Sequence, residues 1–295
     1  RLRAALDACD LHYLLRLTPA PEDAVAPSVL HNPAWARPFE VFGGLMGVPG
    51  TREADPSIVI AVVAPLMFGF MFGDVVQGLI VAIAGFALRH RLPALRLLMP
   101  GGLVAIAFGF AFGSLFASED VIPALWVHPL SDPLVVLSTA LTFGVVVIVL
   151  GLLLNALQFY WRGEGLRWLA GDAGMLLAYA GVVGTVFDAR LLWALPAGIL
   201  WTLAGAAALS PADRLGAVGH AAGEAVERML QLGVNTVSFV RVGAFALAHA
   251  GLCTAVVGIA ESAGAAYWPV LVIGNAAIVA LEGLVVGIQT TRLIL

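Results

Sequence analysis

Arg241, Arg292, Glu227, Glu282 and His249 fall in the last two apolar stretches of the chain, with polar amides and a hydroxyl among them. Arg241 stands in the run Asn235-Thr236-Val237-Ser238-Phe239-Val240-Arg241, and no residue close to it in sequence neutralises it. A guanidinium at the centre of a membrane helix costs at least about 2.5–3.5 kcal/mol on insertion scales. Such a residue faces a bundle interior, a water-filled cavity or a partner charge, and so marks an ion or substrate pathway. The next stretch carries Glu282, Gln289 and Arg292.

Helical geometry orders these groups. On one continuous helix, Glu227 precedes Arg241 by about 21 Å and lies about 40° around from it, on a shared face. His249 follows Arg241 by about 12 Å, and Glu282 on the returning helix precedes Arg292 by about 15 Å. The expected order is a carboxylate at one end, arginine at mid-depth, and a carboxylate with an imidazole toward the other end. A guanidinium stays charged at any relevant pH and repels a passing cation. Ions would then enter from either side and cross only on a separate carrier moving past the arginine.

Each group also has a plainer role open to it. Glu224 and Glu227 could sit on the surface, and His249 could bond a backbone carbonyl. Asn235, Ser238 and Gln289 could join helices by hydrogen bonds, and Asp74 could cap a helix.

The elements that must position these residues follow from composition. The chain has 295 residues, 61% hydrophobic and 12% charged, whereas soluble domains are about 25% charged. This is the balance of a polytopic membrane protein of all-α class. All fifteen basic residues are arginine, without a patch suited to nucleic acid. Cys9 and Cys253 fall in unlike settings, so no disulfide is expected, and no metal-ligand spacing is present. The chain begins Arg-Leu-Arg and stops in an apolar run, so it reads as a fragment of a longer protein.

Residues 1–56 are polar and proline-punctuated, and read as a cytoplasmic approach segment, the remnant of a truncated N-terminal domain. Residues 57–295 read as a transmembrane domain of about eight spans, near 57–73, 75–89, 98–117, 134–158, 168–187, 190–208, 222–260 and 269–295. The last two are long enough to tilt. Phe72-Gly73-Asp74 divides 57–90 into a hairpin. The loops with Arg89, Arg91 and Arg96, with Arg162 and Arg167, and with Arg214 then share the cytoplasmic side with both chain ends. Gly69, Gly73, Gly78, Gly109, Gly113, Gly181 and Gly184 are expected to let helices pack closely.

The string from Asn235 through Arg241 to His249-Ala250 resembles the signature helix of the V-type/A-type ATPase membrane subunit, called subunit a or subunit I. Ala280-Leu281-Glu282-Gly283 followed by Gln289-Thr290-Thr291-Arg292 resembles its last helix, and Phe68-Gly69-Phe70-Met71-Phe72-Gly73-Asp74 its Gly-Asp motif. Phe239 and Val240 stand where Tyr and Leu are usual in the family, and Val76 and Gln77 also depart from its pattern. The resemblance implies a non-catalytic stator subunit of a rotary ATPase in a prokaryotic plasma membrane. Arg241 and Arg292 would face a rotor ring of c-type proteolipids. Glu227 would serve a cytoplasmic half-channel, His249 and Glu282 an exterior one, and Gln289 would assist beside the second arginine. Asp74 would lie near the exterior vestibule, and Ser238 and Asn235 complete the implied ion-translocation set. Further implied partners are peripheral stalks, gripped by an N-terminal domain, and indirectly a soluble ATPase head; no cofactor is implied. The competing reading is a secondary transporter with Arg241 binding an anionic substrate. It calls for a two-fold internal repeat, and the ionisable residues instead concentrate in the last two spans.

Overall fold

The computed structural model describes residues 32–42, 54–90, 93–118 and 121–294. Most of the approach segment therefore lies outside the described residues, as do Cys9, Arg1, Arg3, Arg16, Arg52, Arg91, Glu119 and Asp120. All regular elements among the described residues are helical.

Asp55-Pro56 opens the first helix, α1 (Ser57–Met71), and α2 (Val75–Leu88) turns back from it. The reversal occurs at Phe72-Gly73-Asp74, where Asp74 leaves helical geometry and caps α2 by accepting from Gln77 N at 2.9 Å. Helix α3 (Leu98–Phe112) lies against both and stops at Gly113, whose φ of +75° suits a residue without a β-carbon. Helix α4 (Pro133–Arg162) starts on a proline at its first turn and ends at Gly163, with φ +77°. A short α5 (Gly165–Ala170) leads to α6 (Asp172–Gly184) and α7 (Ala194–Leu209).

The C-terminal part contains α8 (Arg214–Ser238), α9 (Val240–Ser262) and α10 (Tyr267–Ile294). The sequence expectation of one helix from 222 to 260 is corrected in two ways. Asp213 caps α8 through Gly216 N at 3.1 Å, so helix begins eight residues before 222, over a stretch with a polar face. The helix is also interrupted at Phe239, whose N–H bonds Thr236 O and Val237 O. The Phe239 ring is buried against Gly144 of α4, and it meets Phe143 edge-on at 6.3 Å between centroids. Angles reckoned on one continuous helix therefore do not carry from Glu227 to Arg241.

Among the described residues, five helical stretches are long and apolar enough to cross a membrane: Leu95–Phe112, Pro133–Arg162, Ala189–Leu209, Arg214–Ser262 and Gly264–Arg292. Helices α1, α2 and α6 have 15, 14 and 13 residues. At about 1.5 Å per residue they fall short of a hydrocarbon core of about 30 Å. The chain is thus an integral membrane helical bundle in which five of the eight expected spans have full crossing length.

Glycines set the closest approaches. A β-carbon on Gly102 would lie 2.5 Å from Ala82 N, and one on Gly69 would lie 2.7 Å from Ala105 N, so α3 packs backbone to backbone on α2 and α1. Gly174 and Gly198 join α6 to α7 in the same manner, each facing the other's carbonyl oxygen. Helix α9 runs through the centre, against α1, α4 and α10, while α8 rests on α7, α4 and α6.

Candidate functional site: a polar seam between two helices

Helices α9 and α10 run antiparallel, and their polar residues meet in register. Arg241 Nη1 donates to Gln289 Oε1 at 2.9 Å. Two turns further along α9, His249 Nδ1 lies 2.5 Å from Glu282 Oε2. His249 is 4% exposed, so this pair is held away from the surrounding medium. Cys253 Sγ lies 3.6 Å from His249 Nε2.

The seam continues into α2. Gln77 Nε2 donates to Asn275 Oδ1 at 2.8 Å and lies 3.7 Å from Cys253 Sγ, while Asn275 Nδ2 donates back to Leu271 O. Gln77 Oε1 is buried and has no partner among the described residues. On α10 the polar residues Asn275, Glu282 and Gln289 recur every seven positions, and buried Leu271 and Ile278 fill the interleaved ones. That spacing keeps one stripe of α10 facing α9 along their whole contact.

Arg241, half-buried, differs from the buried polar groups in what surrounds it. Its hydrogen bond goes to a neutral amide, and no carboxylate pairs with it among the described residues. It lines a cavity of about 540 Å³, whose other lining residues all come from α8, among them Leu230, Val234 and Val237. Those three side chains are 65–66% exposed. A permanent cation therefore lies beside an uncovered apolar helix face, with one neutral hydrogen bond to hold it.

The remaining expected site residues are placed as follows. Glu227 is exposed on α8 and accepts from Gln231 Nε2 at 3.2 Å. Ser238 Oγ donates to Val234 O within its own helix, and Asn235 is exposed. Arg292 is exposed near the end of α10, three residues past Gln289. Gln289, expected beside the second arginine, bonds Arg241 instead. Asp74 is fully buried and away from the seam's arginine, accepting from Gln77 N, Ser114 Oγ, Phe116 N and Ala117 N. Among the described residues no cluster of three or more His, Cys, Asp or Glu could hold a metal ion.

No protein-family model matches the chain. Its curated relatives include the A-type ATP synthase subunit I of Halobacterium salinarum, 29% identical across 77% of this chain and 36% of the relative. The protein of that name from Aeropyrum pernix is 27% identical across 92% of the chain and 49% of the relative. That from Archaeoglobus fulgidus is 34% identical across 32% of the chain and 15% of the relative. Along most of its length the chain is similar to the subunit I proteins of A-type ATP synthases. It spans less than half the length of these relatives.

Sequence reasoning passed over Asn275, Cys253 as a hydrogen-bonding group, and Arg228. The heptad spacing from Glu282 and Gln289 pointed to Asn275. Arg228 bonds Asp172 of α6 and, at 2.5 Å, Glu224 of its own helix. The Glu224-to-Arg228 step of four residues was the signal for it.

Proposed function

We propose that this chain is the fixed, membrane-embedded half of a rotary ion pathway, lying against a ring of c-type proteolipids. The observation that carries the proposal is Arg241, uncompensated by any carboxylate among the described residues and set beside the exposed apolar face of α8. A carboxyl group on a passing rotor helix would supply the missing counter-charge. A nearby cation favours the ionised carboxylate, so the rotor acid gives up its proton or sodium ion on reaching Arg241. Gln289 keeps the guanidinium aimed without neutralising it.

In this reading the His249–Glu282 pair belongs to an exterior half-channel, and Glu227, exposed on the cytoplasmic part of α8, to the other. Asn235 and Ser238 border that second route, and Arg292 provides a second positive charge on α10. Asp74 shapes the exterior vestibule by holding the α1–α2 turn. Eight spans, short and long together, then leave both chain ends cytoplasmic. The domain that would grip peripheral stalks belongs to the longer subunit, as does the indirect link to the soluble ATPase head.

Arg241→Ala in the full-length subunit is expected to reduce ATP-driven ion uptake into membrane vesicles to background, with the complex still assembled. Uptake at the normal rate in an assembled Arg241→Ala complex overturns the proposal.

A further inference from the structure

A second cavity, of about 980 Å³, opens between α1, α2 and α10 at the end of the bundle away from Asp74. Its walls are apolar, from Phe39, Phe68, Val81, Ala84, Leu98 and Ile288. Two glycines of α10, Gly283 and Gly287, line it, and a β-carbon on either would meet nothing within 4 Å. A glycine inside a helix costs about 1 kcal/mol relative to alanine. Where Gly102 allows a backbone contact, these two leave space.

The polar groups of this cavity gather on the last turns of α10. Thr290 is 7% exposed, lines the cavity, and its Oγ1 has no hydrogen-bond partner among the described residues. Its neighbour Thr291 does bond back, to Gly287 O at 2.9 Å. Arg292 lines the same region and forms no ion pair among the described residues. Arg37 and Arg96, close in sequence to lining residues, donate instead to Asn32 O and Arg89 O. A long apolar hollow with an unmet hydroxyl and the guanidinium of Arg292 at one end matches an amphiphile with an anionic head. Basic pockets between membrane helices on the cytoplasmic side bind anionic lipid head groups.

We infer that this cavity is a binding site for an anionic phospholipid, its acyl chain lying along Gly283 and Gly287 and its phosphate meeting Thr290 and Arg292. The site is separate from the Arg241–Gln289 contact and stands whether or not the chain faces a rotor. It is tested by labelling the full-length subunit, reconstituted in vesicles, with phosphatidylglycerol that carries a photoreactive acyl chain, against the matching phosphatidylcholine. Peptides of α2 and α10 are expected to take up at least threefold more of the anionic lipid. Gly287→Phe, which fills the hollow with a better helix former, should lower that labelling at least tenfold. Ala84→Leu gives the same reading from the opposite wall if the larger side chain impairs folding. Thr290→Val with Arg292→Gln should erase the preference for phosphatidylglycerol while leaving acyl-chain labelling in place. Equal labelling by both lipids, or labelling unchanged in the filled variants, overturns the inference. So does capture of a proteolipid helix rather than lipid by a photoreactive side chain at Ala84.

Discussion

The α1–α3 unit and the α9–α10 seam both place charge within an apolar bundle, and they treat it in opposite ways. Asp74, in the first, is fully buried and accepts hydrogen bonds from two backbone segments and a serine hydroxyl. Arg241, in the second, has a single neutral partner among the described residues and lies at the edge of an open cavity. A charge whose hydrogen-bonding capacity is used up holds structure in place. A charge left partly unmet retains the capacity to meet something that arrives. The difference separates two charged residues that look equally anomalous in the sequence.

The contrast is broken most directly at Asp74. Replacing it by alanine strands the buried N–H groups of Gln77, Phe116 and Ala117 and the hydroxyl of Ser114. Each stranded buried donor costs about 1–3 kcal/mol, and relaxation recovers part, so a loss on the order of 4 kcal/mol is expected. Denaturant unfolding of the purified subunit in detergent measures it. Asp74→Asn should cost about half as much, since one oxygen still accepts. Wild-type stability in Asp74→Ala would erase the distinction between the two regions.

Backbone contact is the next feature of the dry unit to test. A methyl group at Gly102 meets Ala82 N at 2.5 Å, and the obstacle is backbone, which cannot swing aside. Gly102→Ala is expected to cost about 1–3 kcal/mol by overpacking. Gly283→Ala, where the new atom enters open space, should be neutral or stabilising by the same unfolding measurement.

Much of this architecture was legible in the chain. The apolar runs gave the α1–α2 hairpin and its Gly-Asp apex, because a charge beside a glycine inside a hydrophobic stretch is costly anywhere but at a turn. The close-packing role read for Gly69, Gly78 and Gly109 is matched by short backbone approaches at all three positions. The break at Phe239 was not legible. Neither glycine nor proline marks it, and its cause is tertiary, a phenylalanine ring seated on Gly144 of a distant helix. The seam was legible in part. His249 and Glu282 were placed at similar depth by counting residues, and they touch. The Gln77–Asn275 bond joins residues 198 positions apart, and no local pattern announces such a pair.

The seam's own dependence on paired groups is weaker than that of the dry unit. Glu282→Ala leaves His249 with the Cys253 thiol as a polar side-chain neighbour and the Phe72 ring packed against it at 5.0 Å between centroids. Ion uptake should slow about tenfold, a change of ~1.4 kcal/mol in barrier, with unfolding little altered. Glu282→Gln, which keeps an acceptor, should slow it less. A stability loss as large as that of Asp74→Ala, with unchanged uptake, would make Glu282 a structural group and dissolve the contrast.

The smallest effect lies outside both regions, at the entry to α1. Asp55 accepts from Asn32 Nδ2 at 2.5 Å and from Ser57 N at 2.8 Å. Burial raises its pKa, but the hydrogen bonds from Ser57 and Asn32 outweigh it, and the carboxyl is held below its usual value of 3.8. A carboxyl depressed in the folded chain contributes stability above its unfolded pKa and loses it as pH falls through the folded one. The clasp between Asn32 and α1 is therefore expected to be intact at neutral pH and to loosen only below about pH 3.8. Amide exchange at Ser57, followed between pH 5 and pH 3, reads this opening. Asp55→Asn should show the faster exchange already at pH 5, because an amide cannot recover the charged acceptor. Exchange that is slow and pH-independent beyond its intrinsic trend would show that the helix entry is held by packing of Phe39 and Ile60, as buried groups are in the dry unit, and not by the carboxylate.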